Sequence, residues 1–370
     1  MRTRVAELLG VEFPICAFSH CRDVVAAVTN AGGFGILGAT AHSPQRLDNE
    51  LNWIEQQTGG KPYGVDLLLP PKYVGAEQGG IDAGQARTLL PDEHRAFVDD
   101  LLARYGVTAP AADIRAGGLN ISPKTYQPLL DVAFAHDIRL IASALGPPPP
   151  DLVERAHDRD VLVAALAGTT AQRHAAAGVD LIVAQGTEAG GHTGEVATMV
   201  LVPEVVDAVA PVPVLAAGGI ARGRQIAAAL ALGAEGVWCG SVWLTTEEAE
   251  TVPVVKEKFL AATSSDTVRS RSMTGKPARM LRTAWTDEWD RPENPDPLGM
   301  PLQTALITEP QLRINAAATQ PGAKARELAT YFVGQVVGSL DRICPTRSVV
   351  LDMVEEFIDT VGRLDGLIEN

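Results

Sequence analysis

The feature that most constrains this chain is a set of eight short apolar runs, each followed by an alanine- and leucine-rich stretch with helical spacing. Such alternation is typical of repeated βα units. The runs are nearly continuous Val, Ile, Leu and Ala, as expected of parallel strands that are buried on both faces. They span residues 13–18, 34–37, 63–69, 138–144, 161–166, 181–184, 212–216 and 236–239.

Eight strand–helix units predict a closed (β/α)8 barrel, the TIM barrel. The same alternation could form an open, doubly wound sheet. The count of eight and the glycines after the last two strands favour closure. Two of the intervening helices are visible directly: one follows the first strand and ends at Gly32-Gly33, and another covers residues 222–232.

Two regions depart from the repeat, and we treat them as additions to a barrel formed by residues 1–250. An inserted subregion over about 70–135 separates the third and fourth strands by more than a crossover requires. It could form a lid, a contact within a homodimer, or only a layer on the barrel. A C-terminal extension over 251–370 is predicted to be helical near its start and around 326–340 and 349–367.

Composition excludes several classes of function. A formal net charge of −14 argues against nucleic-acid binding, which needs clustered Lys and Arg. No apolar run is long enough to span a bilayer, and the first residues lack a secretory signal pattern, so we expect a cytoplasmic protein. The four cysteines form no C-x2-C pair, and no metal site is predicted.

Glycines follow the last two predicted strands, where barrels commonly bind phosphate. Ala217-Gly218-Gly219-Ile220 comes after strand seven and Gly240-Ser241 after strand eight. Glycine lets the backbone approach phosphate oxygens closely, and the start of the next helix supplies N–H donors. Ser241 can add a hydroxyl. One such loop could be simple turn chemistry, but the pair favours phosphate binding.

The densest segment, residues 185–194, follows strand six and holds four glycines in ten residues. Glycine has no side chain to bury in a core and destabilises helices, so this backbone is expected to wrap around a ligand. His192 lies inside the segment, at the end of the barrel that carries catalytic groups. It could be a surface residue, but its position favours general acid or base chemistry.

With these segments the chain resembles the nitronate monooxygenase family, formerly called 2-nitropropane dioxygenases, which also includes flavin-dependent enoyl reductases and NAD(P)H:quinone reductases. The most specific match is the 185–194 block followed by Ala217-Gly218-Gly219-Ile220. Weaker matches are residues 29–35, Gly240-Ser241, residues 275–279 and Gly334-Gln335.

The resemblance implies a non-covalent FMN in the barrel mouth and a base that takes the proton α to a nitro group. His192 aligns with that base. The residues that the resemblance places at the flavin are Gln185, Gly190, Gly191, Gly218, Gly219, Gly240, Ser241 and Gln335.

The chain also departs from the family pattern. The segment after strand one reads Ala17-Phe18-Ser19-His20, where the family usually has Ala-Pro-Met or a similar trio. Strand three ends in Gly64-Val65-Asp66, where the family commonly has Asn in the last place, and Asp66 is expected to add a negative charge near the site. We therefore expect Phe18, Ser19, His20 and Asp66 to shape an altered substrate pocket.

Three functions remain open at this stage. The resemblance favours oxidation of alkyl nitronates by O2 to a carbonyl compound and nitrite. In the alternative, NAD(P)H reduces FMN, which then reduces an enoyl thioester or a quinone with His192 or His20 as proton donor. A flavin-holding barrel without catalysis is the third. Residues 275–279, Gly-Lys-Pro-Ala-Arg, could reach the flavin phosphate or an acidic substrate, or could be only a surface turn with solvated charges.

Overall fold

Eight parallel strands close into a barrel in the computed structural model, which describes residues 1–108, 120–169, 174–175 and 177–368. We number strands in chain order, so a two-residue strand outside the barrel, Gly191–His192, is β7. The barrel strands β1–β6, β8 and β9 are Ile15–Ser19, Phe34–Gly38, Gly64–Leu68, Leu140–Ala144, Leu162–Ala167, Leu181–Gln185, Val214–Ala217 and Gly236–Cys239.

All eight predicted strands are confirmed, each to within two residues at either end. Strand β1 pairs in parallel with β2 on one side and with β9 on the other, where Cys16 lies opposite Trp238. This last pairing leaves no free edge. The fold is therefore the (β/α)8 barrel, and the open doubly wound sheet is wrong.

The barrel interior is a packed core that is plugged at the end where the strands begin. Helix α1 (Arg4–Leu9) places Val5 and Leu9 against that end. The inward side chains are Cys16, Phe34, Ile36, Leu140, Ala142, Ala164, Leu181, Val183, Leu215, Ala217 and Trp238. The opposite end, where the strands finish, is the open mouth at which barrels carry their chemistry.

Helices cover the outside of the barrel. Both helices that were predicted directly are confirmed, as Arg22–Asn30 and Gly223–Ala231, and the first ends where the backbone turns at Gly32 with φ 93°. The helices before the extension are α2 Arg22–Asn30, α3 Pro44–Thr58, α4 Ala83–Thr88, α5 Asp92–Arg104, α6 Pro123–Ala133, α7 Pro150–His157, α8 Thr198–Val209 and α9 Gly223–Ala231. Within the described part of the chain, no helix combines the length and apolar character needed to cross a membrane.

The C-terminal extension combines helices with two strands. The predicted first and last helices are confirmed, but a helix over 326–340 is wrong. That segment holds two short 3-10 helices, Lys324–Glu327 and Gln335–Ser339, because the residues between them run extended against a neighbouring strand, with Phe332 bridging Met280. The elements are α10 Pro253–Ala261, β10 Thr267–Ser270, β11 Ala278–Leu281, α11 Ala284–Trp289, α12 Leu302–Ala317 and α13 Thr346–Asp365.

The insertion and the extension pack against each other. The Arg104 guanidinium at the end of α5 makes a two-pronged ion pair with Glu288 on α11, at 2.8 and 3.1 Å. The Val74 N–H donates to the Met300 carbonyl at 2.9 Å. The final part of the predicted insertion, α6, packs on α3 as a crossover helix does. Residues 109–119 of the insertion and 369–370 of the extension lie outside the described residues.

Candidate functional site

His192 lies in a small three-stranded sheet of order β10-β11-β7. In this sheet Ala278 pairs with His192 and Arg279 pairs with Gly191, both antiparallel. The segment 275–279 is therefore part of the structure around His192, and the interpretation as a detached surface turn is wrong. Arg279 is buried, and its Nε donates to the Thr187 carbonyl at 2.8 Å. Its role is to fix the glycine-rich loop.

The imidazole of His192 is held neutral. Its Nε2 lies 2.8 Å from Thr274 Oγ1, and its ring centroid is 6.4 Å from that of Phe332. Burial, and secondly the positive charge of Lys276, lower the pKa of His192 to about 4. Near pH 7 the ring is therefore uncharged and can accept a proton.

The hydrogen bonds of Thr274 indicate which ring nitrogen of His192 is free. The Thr274 hydroxyl lies 3.2 Å from the Lys276 carbonyl, to which it can only donate. When its single hydrogen is used there, Nε2 of His192 must donate to Oγ1, because a hydroxyl has one hydrogen and two lone pairs. The lone pair that can take a proton is then on Nδ1.

A short segment at Val333–Gln335 joins three of the predicted flavin residues. A Cβ on Gly190 would lie 2.8 Å from Gly334 N and from the Val333 carbonyl carbon, so only glycine fits. The Gly334 N–H donates to Ser241 Oγ at 2.8 Å, and the Gln335 N–H donates to the Glu188 carbonyl at 2.9 Å. Gly190, Ser241 and Gln335 therefore belong to one packed unit.

The Gly218-Gly219 turn after β8 has a left-handed backbone, with φ 105° and 69°. Gln225 on α9 fixes this turn, since its Oε1 accepts from the N–H groups of Ala221 and Arg222 and its Nε2 donates to the Gly219 carbonyl. Gly218, Gly219 and Gln335 line one cavity of about 400 Å³. Gln185 ends β6 opposite Ala217, next to this turn.

Glu188 supports the same region and was not identified from the sequence. Its carboxylate accepts from the Thr198 N–H at 2.9 and 3.1 Å and from the Thr198 hydroxyl at 2.9 Å. Thr198 begins α8, so the negative charge lies at a helix N-terminus, where it is favourable. Ten residues separate the partners, which is too far for a capping pattern to be visible in sequence.

Of the four residues assigned to the substrate pocket, Phe18, Ser19 and His20 lie at the end of β1, whereas Asp66 lies in the middle of β3 rather than at its end. The Phe18 ring lies nearly parallel to Trp238 at 6.4 Å and meets the edge of His20 at 5.1 Å. Burial lowers the pKa of His20, whose Nδ1 lies 3.2 Å from the Gly38 carbonyl and must donate to it. Ser19 Oγ accepts from the Cys21 N–H at 3.0 Å.

Asp66 differs from these three because it is buried inside the barrel, with 3% of its surface exposed. Burial raises the pKa of Asp66 to about 7. No hydrogen-bond partner for its Oδ2 is present among the described residues. The expected negative charge near the site is therefore largely suppressed below neutral pH.

These residues fit a flavin mononucleotide. Gly191 and Gly240 have no atom within 4 Å of the position of an added Cβ, so open space adjoins both backbones. Glycine turns after β8 and β9 suit a phosphate, the Phe18 and Trp238 rings suit an aromatic ring system, and Asp66 offers an unpaired polar atom.

Comparisons with known proteins agree with this geometry. A protein of Mycobacterium tuberculosis whose monooxygenase name is itself provisional is 85% identical over the full length of both chains. A nitroalkane oxidase structure from Streptomyces ansochromogenes has a TM-score of 0.80 at 25% identity and covers 97% of this chain and 99% of its own. FabK from Thermotoga maritima has a TM-score of 0.72 at 29% identity and covers 99% of each chain.

The family model of nitronate monooxygenase matches residues 2–356, almost the whole chain. The family and the related structures are those of oxidoreductases that imply a flavin cofactor. The chain belongs to the nitronate monooxygenase family, and it is an oxidoreductase built on a TIM barrel.

Proposed function

We propose that this chain binds FMN and oxidises alkyl nitronates with O2 to a carbonyl compound and nitrite. The observation that carries the proposal is the uncharged His192 at the barrel mouth, with Thr274 on Nε2. A neutral imidazole can take the proton α to a nitro group, and neutral nitroalkanes then become substrates as well.

The bound flavin would supply the redox chemistry, accepting electrons from the substrate and passing them to oxygen. Its phosphate would bind at Gly218, Gly219, Gly240 and Ser241. Its ring system would adjoin Gln185, Gly190, Gly191 and Gln335.

The residues of this chain would manage the proton and the charge. After His192 takes the proton, the imidazolium lies beside the nitronate anion, and this attraction raises the pKa of the ring while the pair lasts. Lys276 adds positive charge to the same side. The Phe332 ring lies beside the imidazole, with 6.4 Å between the ring centroids.

The alternative function, reduction of an enoyl thioester or quinone with NAD(P)H, is less well supported. That reaction needs a proton donor near the flavin. Burial lowers the pKa of both His192 and His20, so neither is charged at neutral pH. A neutral histidine is better suited to accept a proton than to donate one.

The test is His192→Asn, which keeps a polar side chain of similar size. We expect the flavin to stay bound and turnover of neutral nitroalkanes to fall by 10²–10⁴-fold, the usual contribution of a general base. Turnover of preformed nitronates should change far less, because they have no α proton to lose. Equal losses on both substrates would contradict the assignment of His192 as base.

A further inference from the structure

The last helix of the chain, α13 (Thr346–Asp365), and the residues next to it expose many apolar side chains. Of the twelve large apolar side chains that are exposed among the described residues, seven lie between residues 343 and 368. They are Ile343, Leu351, Ile358, Val361, Leu364, Leu367 and Ile368. Single exposed apolar residues are ordinary, but such a cluster marks an interaction surface.

The first half of α13 is fixed to the barrel. Its side chains Thr346, Val350 and Met353 are buried, and the helix packs on α9 and α2. At Gly223 the backbones of α9 and α13 approach so closely that an added Cβ would collide with the Met353 carbonyl oxygen. The outer face of α13 therefore has a fixed orientation, and a partner does not have to order the helix on binding.

The second half of α13 projects from the barrel. Every residue from Val361 to Ile368 is exposed, including four large apolar ones. A short helical end without tertiary packing is only marginally stable in water. We therefore expect another surface to cover this end, and within the described part of the chain no element does so.

One side of α13 carries an apolar stripe with a charge at each end. The apolar stripe consists of Leu351, Val354, Ile358 and Val361. Its spacing of three and four residues places these side chains above one another, as in the contact between two paired helices. Arg347 lies one turn before the stripe and Asp365 one turn after it, on the same side. Among the described residues, no ion pair to either charged side chain is formed.

The apolar stripe is complementary to itself when two copies of α13 lie antiparallel and are centred on Glu356. Leu351 of one copy then lies opposite Val361 of the other, because both are five residues from the centre. Val354 lies opposite Ile358 in the same way. The Glu356 carboxylate points away from the stripe, toward ion pairs with arginines at the start of α9. It therefore adds no repulsion between the two copies.

The charges favour the same arrangement. Arg347 and Asp365 are equally far from the centre, so each Arg347 would meet Asp365 of the second copy. Parallel copies would instead place like charges opposite each other. At the projecting end, Ile368 would reach the second copy beside its exposed Ile343.

We propose that α13 is a dimerisation surface, on which a second copy of this chain binds antiparallel about Glu356. Both copies use the same patch, so the contact has twofold symmetry and closes at the dimer. The C-terminal extension makes this contact, and the inserted subregion over 70–135 does not. The inference is independent of the proposed flavin chemistry.

The experiment is sedimentation velocity of the full-length protein between about 1 and 100 μM, in about 0.15 M salt, which screens the net charge of −14 on each copy beyond about 8 Å. We expect the wild type to form a dimer. Ile358→Lys should weaken the dimer about 100-fold or more, because each copy loses an apolar contact at the centre and gains a charge there. Leu89→Lys, a matched change of an exposed apolar side chain in the insertion, should leave the dimer intact.

A charge exchange tests the antiparallel arrangement. Arg347→Asp and Asp365→Arg should each weaken the dimer about tenfold, because each change replaces two ion pairs with two like-charge pairs. The double variant should return to within about threefold of the wild-type Kd, because both ion pairs form again in reverse.

Three results would overturn the inference. The first is a wild type that stays monomeric over the whole concentration range. The second is a dimer that Ile358→Lys leaves intact, which would assign the contact to another face such as the insertion. The third is a double charge variant as weak as the single variants. None of these results would affect the proposed function, which is measured by turnover of nitronates.

Discussion

Replacing Lys276 with Met should raise the pKa of His192 and narrow the pH range in which the base is active. Two causes lower that pKa from 6.5 to about 4, burial first and the Lys276 charge second. Methionine keeps much of the lysine stem's apolar volume but removes the charge. The variant should therefore retain the packing around His192 while losing part of the electrostatic effect.

The size of the effect follows from the order of the two causes. The full lowering of the His192 pKa corresponds to about 3 kcal/mol of free energy that disfavours the protonated ring. Lys276 is the smaller cause and accounts for less than half, so the pKa in Lys276→Met should be no higher than about 5.2. The neutral fraction of His192 would then fall by at most about twofold at pH 5 and fivefold at pH 4.5, with no change at pH 8.

The assay is the pH profile of kcat/KM for a neutral nitroalkane, with the pKa of His192 read independently from its ring ¹⁵N chemical shifts in the flavin-free protein. Lys124→Met, which removes an exposed charge on α6, is the matched control. The acid limb should move to higher pH in Lys276→Met alone. An unmoved limb, or an equal shift in Lys124→Met, would refute the assigned role of Lys276.

Three further predictions concern the site and its supports. Gly240→Ala should leave the melting temperature unchanged, because no atom lies within 4 Å of the new Cβ, yet it should weaken FMN binding at least about tenfold. Gly362→Ala, where the added Cβ is equally unobstructed, should not affect FMN binding. Equal FMN affinities of the two variants would argue against a phosphate at Gly240. Thr274→Val should lower kcat on nitroalkanes by about 2- to 12-fold, the contribution of one hydrogen bond, and Thr274→Ser should restore kcat. A serine variant as slow as the valine variant would contradict the role of Thr274 in positioning His192. Arg104→Ala should cost about 1–3 kcal/mol in urea unfolding, since the side chain of Glu288 is 4% exposed and, among the described residues, would keep one ion-pair partner, Arg291. A loss below about 0.5 kcal/mol would show that this ion pair does not stabilise the contact between insertion and extension.

The barrel could be predicted from the sequence because each buried parallel strand is a continuous apolar run that ends in turn residues. The failed helix at 326–340 shows the limit of this reasoning. Its apolar residues suggested a helix, but Phe332 bridges Met280 and Gly334 packs on the loop at Glu188, and these tertiary contacts override local preference. Helix α12 was missed because its buried face, residues 303, 306, 307, 310, 311 and 314, includes two glutamines and a proline and therefore does not show as an apolar stripe in the sequence.

The candidate site was only partly predictable for a similar reason. The glycines and His192 are close in sequence to strand ends, where barrel chemistry is expected. The partners of His192 are not close to it in sequence. Thr274 is 82 residues away, and the strand that holds His192 in the sheet, Gly191–His192, is only two residues long. Arg279 and Glu188 likewise act on distant backbone groups. No local pattern reports such contacts.

The most direct test of the proposed chemistry is anaerobic mixing of the FMN-loaded protein with propyl nitronate and, separately, with NADH or NADPH, while flavin absorbance is followed. We predict rapid bleaching by the nitronate and none by the nicotinamides on the same timescale. Bleaching by NADH or NADPH alone would contradict nitronate oxidation and assign the chain to the reductases of its family.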